Sequence, residues 1–299
     1  MSDRILRPAL VLGLLSCIGP FAIDMYLPAM PDIGAALGTD VQGMQTTVTA
    51  YFIAFGLAQL VYGPWADAAG RKTPLYAGIA IFLIGSVICT FAPSPAWLIA
   101  GRAVQGLGGA ALMVVPRAII RDLYTGHAAT RLMAAVMLVI SVSPMLAPLA
   151  GSGLMALAGW RAIFAVLTVA GLCGALLASR SLPEAAPPVA GSVARLGPAL
   201  LRLARNPRFL APSLAIAGGS SALYMFIGTT PFLLTHDFAL RPREVGLAMM
   251  LVALASIAGT FTVARIDRRG HALLGGHREV GTVEGVDGAS EQRREVRHE

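Results

Sequence analysis

Eight long apolar stretches occupy the chain from residue 8 to residue 264, and then hydrophobicity stops: the last 35 residues are polar and charged. The stretches lie near 8–30, 44–65, 74–92, 95–119, 131–157, 161–179, 209–234 and 243–264, each about 19–27 residues long. A helix of about 20 residues crosses a hydrocarbon core of roughly 30 Å. In lipid every backbone N–H and C=O needs a partner inside the protein, so only helices or closed barrels cross it. These runs are too long and too uniformly apolar for barrel strands. The fold class that follows is an all-α polytopic membrane protein, with the lipid bilayer as its solvent.

Composition excludes several other functions. The chain is 56% hydrophobic and 13% charged, with a mean hydropathy of +0.70, far from a soluble domain. Its net charge of +7 sits in short gaps between spans rather than on one face, which argues against nucleic acid as a partner. His127, His236, His271, His277 and His298 all fall outside the spans. No H-E-x-x-H occurs, and Gly151-Ser152-Gly153 lacks the pattern of a nucleophile elbow. No enzyme, metal centre or cofactor is expected. Cys17, Cys89 and Cys173 lie in apolar runs and read as small packing residues. Leu14-Leu15-Ser16-Cys17 imitates a lipoprotein cleavage site, but its run continues through Met30 and reads as an uncleaved first span.

Loop charge gives an orientation. Arg4 and Arg7, then Arg71 and Lys72, then Arg117, Arg121 and Arg131 fall in every second gap, as do Arg180, Arg195, Arg202, Arg205 and Arg208. The alternate gaps are poor in basic residues, with Arg241 and Arg243 the weak exception. Both termini are therefore expected in the cytoplasm. Residues 1–180 read as a six-helix bundle and 181–208 as a cytoplasmic linker. In that linker Leu196, Leu200, Leu201 and Leu203 alternate with Arg195, Arg202 and Arg205, the pattern of an amphipathic helix on an anionic leaflet. Residues 209–264 read as two spans of a second bundle, and 265–299 as a disordered cytoplasmic tail. Six is the repeat unit of one large transporter class.

Local patterns point to chemistry. After span two comes Gly63-Pro64-Trp65-Ala66-Asp67-Ala68-Ala69-Gly70-Arg71-Lys72, an acid beside two bases in a glycine-bounded turn, with Asp122 as the natural partner for Arg71. In span four, Arg102, Gln105, Gly106 and Gly109 share one helix face. An arginine inside an apolar run costs several kcal/mol unless it meets a partner or a wet cavity; snorkelling from a span end is the other reading. In span five, Ser141, Pro144, Pro148 and Gly151 follow a 3–4–3 spacing that permits close contact and bends the helix. In span one, Gly13, Cys17, Pro20 and Asp24 share a small-residue face, and Asp24 is the one acid inside an apolar run. Loss of water there favours the neutral acid and a cation such as Arg102 favours the ionised one, a balance that suits proton uptake and release. A cap for the broken end of span one near Pro28 is the structural alternative.

These strings carry a resemblance. The loop resembles the G-x-x-x-D-x-x-G-R-K loop of the major facilitator superfamily, with Ala68 where arginine is common and Trp65 where leucine or phenylalanine is. Arg102-x-x-Gln105-Gly106 resembles its span-four signature. Ser143-Pro144-Met145-Leu146-Ala147-Pro148-Leu149-Ala150-Gly151, followed by Gly159-Trp160-Arg161, resembles the span-five motif of proton-driven antiporters. Asp24-Met25-Tyr26-Leu27-Pro28-Ala29-Met30-Pro31 resembles the D-x-Y-L-P-A-x-P string of bicyclomycin/chloramphenicol-resistance-type drug:proton antiporters.

The resemblance covers about residues 8 to 270. It implies a major facilitator fold in a bacterial-type inner membrane, exporting drug-like small molecules in exchange for protons. Asp24 and Arg102 would couple protons. Gly63, Asp67, Gly70, Arg71, Lys72 and Asp122 would form a conformational latch. Tyr26, Gln45, Thr49, Gln59, Gln105, Tyr224 and Phe226 would line the cavity, although Tyr224 and Phe226 read equally well as lipid-facing packing.

The family has twelve spans. Ala264-Arg265-Ile266-Asp267-Arg268-Arg269-Gly270 resembles the second-half copy of the loop, yet no apolar run longer than three residues follows. The expectation is a reading frame broken near residue 270, and translation of the downstream DNA in the other frames checks it. The competing functional reading is therefore a non-transporting remnant, or a helical half that works with another chain.

Overall fold

The computed structural model describes residues 3–124, 126–182, 196–241, 243–256, 258, 259 and 262, apart from some side chains within helices. The helices are α1 (Asp3–Asp24), α2 (Met30–Leu37), α3 (Val41–Ala69), α4 (Lys72–Thr90), α5 (Pro95–Leu123), α6 (Gly126–Ala158), α7 (Arg161–Ser181), α8 (Leu196–Ala204) and α9 (Pro207–His236). Residues 243–256 form α10. Contacts divide the chain into Met1–Leu251 and Val252–Glu299. In the second unit, residues 252–256, 258, 259 and 262 are helical. The polar tail and the motif at 264–270 lie outside the described residues.

Local chemistry sets the helix ends. Asp40 accepts the Gly43 N–H at 2.9 Å and caps α3. Asn206 accepts from Arg208 N ahead of Pro207 at the start of α9. Gly38 (φ +66°) stops α2 and Gly70 (φ +80°) stops α3, a left-handed turn that a side chain would strain. Seven described helices are long and apolar enough to cross a membrane, the first being α1 and α2 taken together, Leu10–Leu37. The expected gap at 31–43 is corrected by this: the first span breaks after Asp24, makes one tight turn at Leu27–Ala29, and resumes as α2. Of the expected eighth span, 243–256 is helical and several later positions lie outside the described residues.

The tightest seams join α5 to α3 and to α4. Backbones touch there because side chains are missing: a Cβ on Gly106 would overlap the Tyr51 carbonyl, and one on Gly108 the Phe82 backbone. Helix α1 packs on α5, α6 and α7, while α9 touches α2 and the Leu27–Ala29 turn. Large apolar side chains such as Leu57, Ile84, Val169 and Ile216 point outward. That is the inside-out surface of a protein solvated by lipid rather than water. The described residues thus form six spans, α1 with α2 and then α3 to α7, followed after α8 by the long helix α9 and by α10.

Candidate functional site

The break in span one organises the site. At the end of α1 the Met25 N–H still reaches the Phe21 carbonyl at 3.0 Å, but the Tyr26 N–H turns early to Ile23, 3.1 Å away. The Ala22 carbonyl thereby loses the donor that a continuing helix would supply. Arg102 of α5 replaces it: Nη1 donates to the Ala22 oxygen at 3.0 Å and to Gln105 Oε1 at 2.6 Å. Gln105 in turn donates to Ser86 Oγ at 2.8 Å, and Ser86 to the Phe82 carbonyl. Arg102 is 0% exposed, and its Cζ lies 4.6 Å from the Tyr26 ring centre and 4.3 Å from that of Tyr51. Two ring faces thus stabilise a charge whose Nε and Nη2 make no hydrogen bond. Tyr26 is fixed by Thr47 (hydroxyls 2.5 Å apart), and Tyr51 donates to the Gly19 carbonyl at 3.3 Å.

Asp24, one residue before the break, is 8% exposed and is the one buried carboxylate among the described residues. It was expected beside Arg102. No ion pair joins them among the described residues; the guanidinium is committed to a carbonyl and two rings. Ser143 of α6 is the side chain set beside the Asp24 carboxyl, with its buried hydroxyl making no hydrogen bond of standard geometry. The approach of α6 depends on Gly151, where a Cβ would overlap the Met25 carbonyl. Pro148 and Gly151 face inward, Pro144 is exposed, and the Ser141 side chain lies outside the described set.

A cavity of about 490 Å³ opens between α2, α3 and α9. Gln45, Val48, Thr49, Phe52 and Ile53 of α3 form one wall, closed by Met30. Ser220, Ser221, Tyr224 and Met225 of α9 form the other. Tyr224 packs against Phe52 edge to face, 4.8 Å between ring centres.

Of the residues expected to line a cavity, Gln45, Thr49 and Tyr224 line this one. Tyr26 and Gln105 do not: both are fully buried, held by Thr47 and Ser86 in the packing of the bundle. Gln59 lies further along α3, its amide toward Met113 Sδ at 4.0 Å. Phe226, 57% exposed, does not line this cavity, whereas Met225, 74% exposed, stands at its open edge. Ser220 and Ser221 were missed, although two serines inside an apolar run were a readable signal.

At the opposite end of α3, Arg71 is buried and bridges two acids. Its Nε donates to Asp122 Oδ2 at 2.6 Å and its Nη1 to Asp67 Oδ1 at 2.5 Å. Burial alone would lower the pKa of Arg71, but its hydrogen bonds to Asp122 and Asp67, together with their negative charges, outweigh it and hold the group above its usual range. Gly70 provides the turn, Lys72 opens α4, and Gly63 sits in open space within α3.

Comparison with known proteins agrees with this architecture. A family model described as Major Facilitator Superfamily matches residues 12–279. The uncharacterized MFS-type transporter YdgK of Bacillus subtilis is 31% identical over 86% of this chain and 65% of its own length. Multidrug resistance protein D of Escherichia coli is 30% identical over 89% of this chain and 67% of its own. The bicyclomycin resistance protein homolog of Haemophilus influenzae is 34% identical over 58% of this chain and 44% of its own. The chain thus spans about two thirds or less of the length of these relatives. Among solved structures, an inward-facing bacterial homolog of the human lysosomal transporter Spinster superposes with a TM-score of 0.73 at 17% identity, covering 90% of this chain and 64% of that one. A D-xylose–proton symporter gives 0.60 at 13% identity, over 89% and 70%. The chain is a multi-pass membrane protein that belongs to the major facilitator superfamily.

Proposed function

We propose that this chain carries the coupling half of a proton-driven exchanger that exports small lipophilic compounds across a bacterial-type inner membrane. The observation that supports it best is Asp24, the one buried carboxyl among the described residues, placed at a helix break. A proton arriving from outside neutralises Asp24, weakens ligand binding and permits the return swing; ligand arriving from the cytoplasm favours the ionised form. Each ligand lowers the affinity for the other by the same factor, as linkage requires. Arg102 serves this scheme by holding the break. The Arg71–Asp122–Asp67 cluster is the latch that must open when the bundle rocks. The excess of Arg and Lys in alternate gaps supports cytoplasmic termini, and relatives named for multidrug and bicyclomycin resistance support drug-like cargo.

A second reading, a membrane subunit that does not transport by itself, is supported by α9, whose most apolar window holds no buried residue. Proton-dependent dye efflux from proteoliposomes that contain only this chain decides between them. Gradient-driven efflux supports the exchanger, and its absence supports the subunit.

A further inference from the structure

Helix α8 takes no part in the exchange scheme, yet its two sides differ sharply in chemistry. Leu200, Leu203 and Ala204 fall on one side at helical spacing, with Leu201 at its edge, and Arg202 and Arg205 take the other. The bundle leaves the apolar side open: Leu201 and Leu203 are 53% and 41% exposed, and the main neighbour of α8 is α9. Arg202, Arg205 and, in the first turn of α9, Arg208 are exposed and make no side-chain hydrogen bond or ion pair among the described residues. No Asp or Glu occurs from residue 185 to residue 236 to meet them. Asn206 sets the elbow between the two helices. Its N–H reaches the Leu203 carbonyl at 3.1 Å, and its own carbonyl accepts from Phe209 and Leu210 at 3.0 and 2.9 Å. Only Arg205 and Asn206 separate α8 from α9, a helix long and apolar enough to cross a membrane. The elbow therefore holds α8 at the level where a bilayer's headgroups begin.

We infer that α8 and the first turn of α9 form a docking surface for anionic phospholipid, with the leucines among the upper acyl carbons and Arg202, Arg205 and Arg208 on headgroup phosphates. Charge complementarity and the apolar side together select this partner. A free anion uses the arginines but leaves the leucines in water, and a neutral leaflet uses the leucines but leaves the arginines unmatched. Each guanidinium presents a planar fork that meets two phosphate oxygens at once. Nine residues are too few to hold a helix by themselves in water, so α8 gains from the leaflet the packing that the bundle does not supply. The same anchor seats the start of α9, whose most apolar window holds no buried residue. Proton exchange plays no part in the inference, which stands or falls separately from it.

The test places an environment-sensitive nitrobenzoxadiazole dye on the full chain in lipid nanodiscs. Cys173, which is exposed, is replaced by alanine, while Cys17 and Cys89 are buried and stay unlabelled. The dye is attached at Leu203→Cys on the apolar side or at Pro198→Cys, an exposed position on the arginine side. Discs of phosphatidylcholine alone are compared with discs that also hold phosphatidylglycerol in both leaflets. The expected result is blue-shifted emission at position 203 in the anionic discs only, weakening as salt is added, and water-like emission at 198 in both. The shift should be lost when Arg202, Arg205 and Arg208 are all changed to glutamine. Water-like emission at 203 in anionic discs overturns the inference. So does an equal shift in neutral discs, or one that the triple variant keeps while it remains monodisperse. Inorganic phosphate added to neutral discs should change nothing; a blue shift from it assigns the arginines to a free anion and overturns the lipid.

Discussion

Arg102 donates a hydrogen bond to the main-chain oxygen of Ala22, 3.0 Å away, and makes no ion pair with Asp24 two residues further on. The arginine therefore acts on the acid through the shape of α1. It supplies the donor that the helix loses at its break, and the break in turn fixes where the carboxyl points. Lysine cannot reproduce this, since one ammonium has no planar fork to meet Ala22 and Gln105 while lying flat between two rings. Arg102→Lys is expected to destabilise the solubilised chain by about 1–3 kcal/mol. Thermal unfolding checks this, and an unchanged midpoint contradicts the cap.

The two acids that meet Arg71 differ in value. The Asp67 side chain is 43% exposed and its pair is largely screened, so Asp67→Ala is expected to cost under about 1 kcal/mol. Asp122 is 16% exposed, and Asp122→Ala leaves a buried guanidinium short of its better partner, at about 2–3 kcal/mol. Because Arg71 is held above its usual pKa, it is charged in both folded and unfolded chain near neutrality. The stability it adds is fully present there and fades only in strong alkali. Unfolding midpoints of both variants, measured between mildly acidic and mildly alkaline pH, check the order and the absence of an Arg71 titration.

Glycines that share the motifs should respond oppositely. Gly106→Ala drives a methyl into the Tyr51 carbonyl and should destabilise by about 1–3 kcal/mol, whereas Gly63→Ala meets open space and should be neutral or gain up to about 1 kcal/mol. Parallel denaturation of the two variants is the check.

If the cargo is uncharged, exchange for one proton moves net charge. Membrane potential alone, inside negative and set with a potassium gradient and ionophore, should then drive export. About 2.3 kcal/mol is available per 100 mV for each charge moved. Indifference to potential at fixed pH gradient would contradict uncharged cargo exchanged for a single proton.

Hydropathy locates the spans because burial in lipid acts on every residue of a run, and the acid–base spacing around Gly70 suffices to pair Arg71 with Asp122. What the chain conceals is tertiary. The continuation of span one as Met30–Leu37 is masked by Pro28 and Pro31, which read as a helix end. Gln105 shares a face with Arg102 and so looks cavity-lining, yet a neighbouring helix brings Ser86 to it. The α9 wall is legible only in part: Tyr224 reads as cavity-lining, whereas the polar signal of Ser220 and Ser221 is offset by the two glycines before them, which make the stretch look like packing until Phe52 is placed opposite.

The central claim is that proton exchange at Asp24 is tied to ligand movement. Its most direct measurement is pH-gradient-driven dye transport by proteoliposomes holding the full chain, wild type against Asp24→Asn. Transport that follows the gradient in the wild type and is lost in Asp24→Asn, with dye binding retained, is the predicted result. Equal gradient-driven transport by both would contradict it.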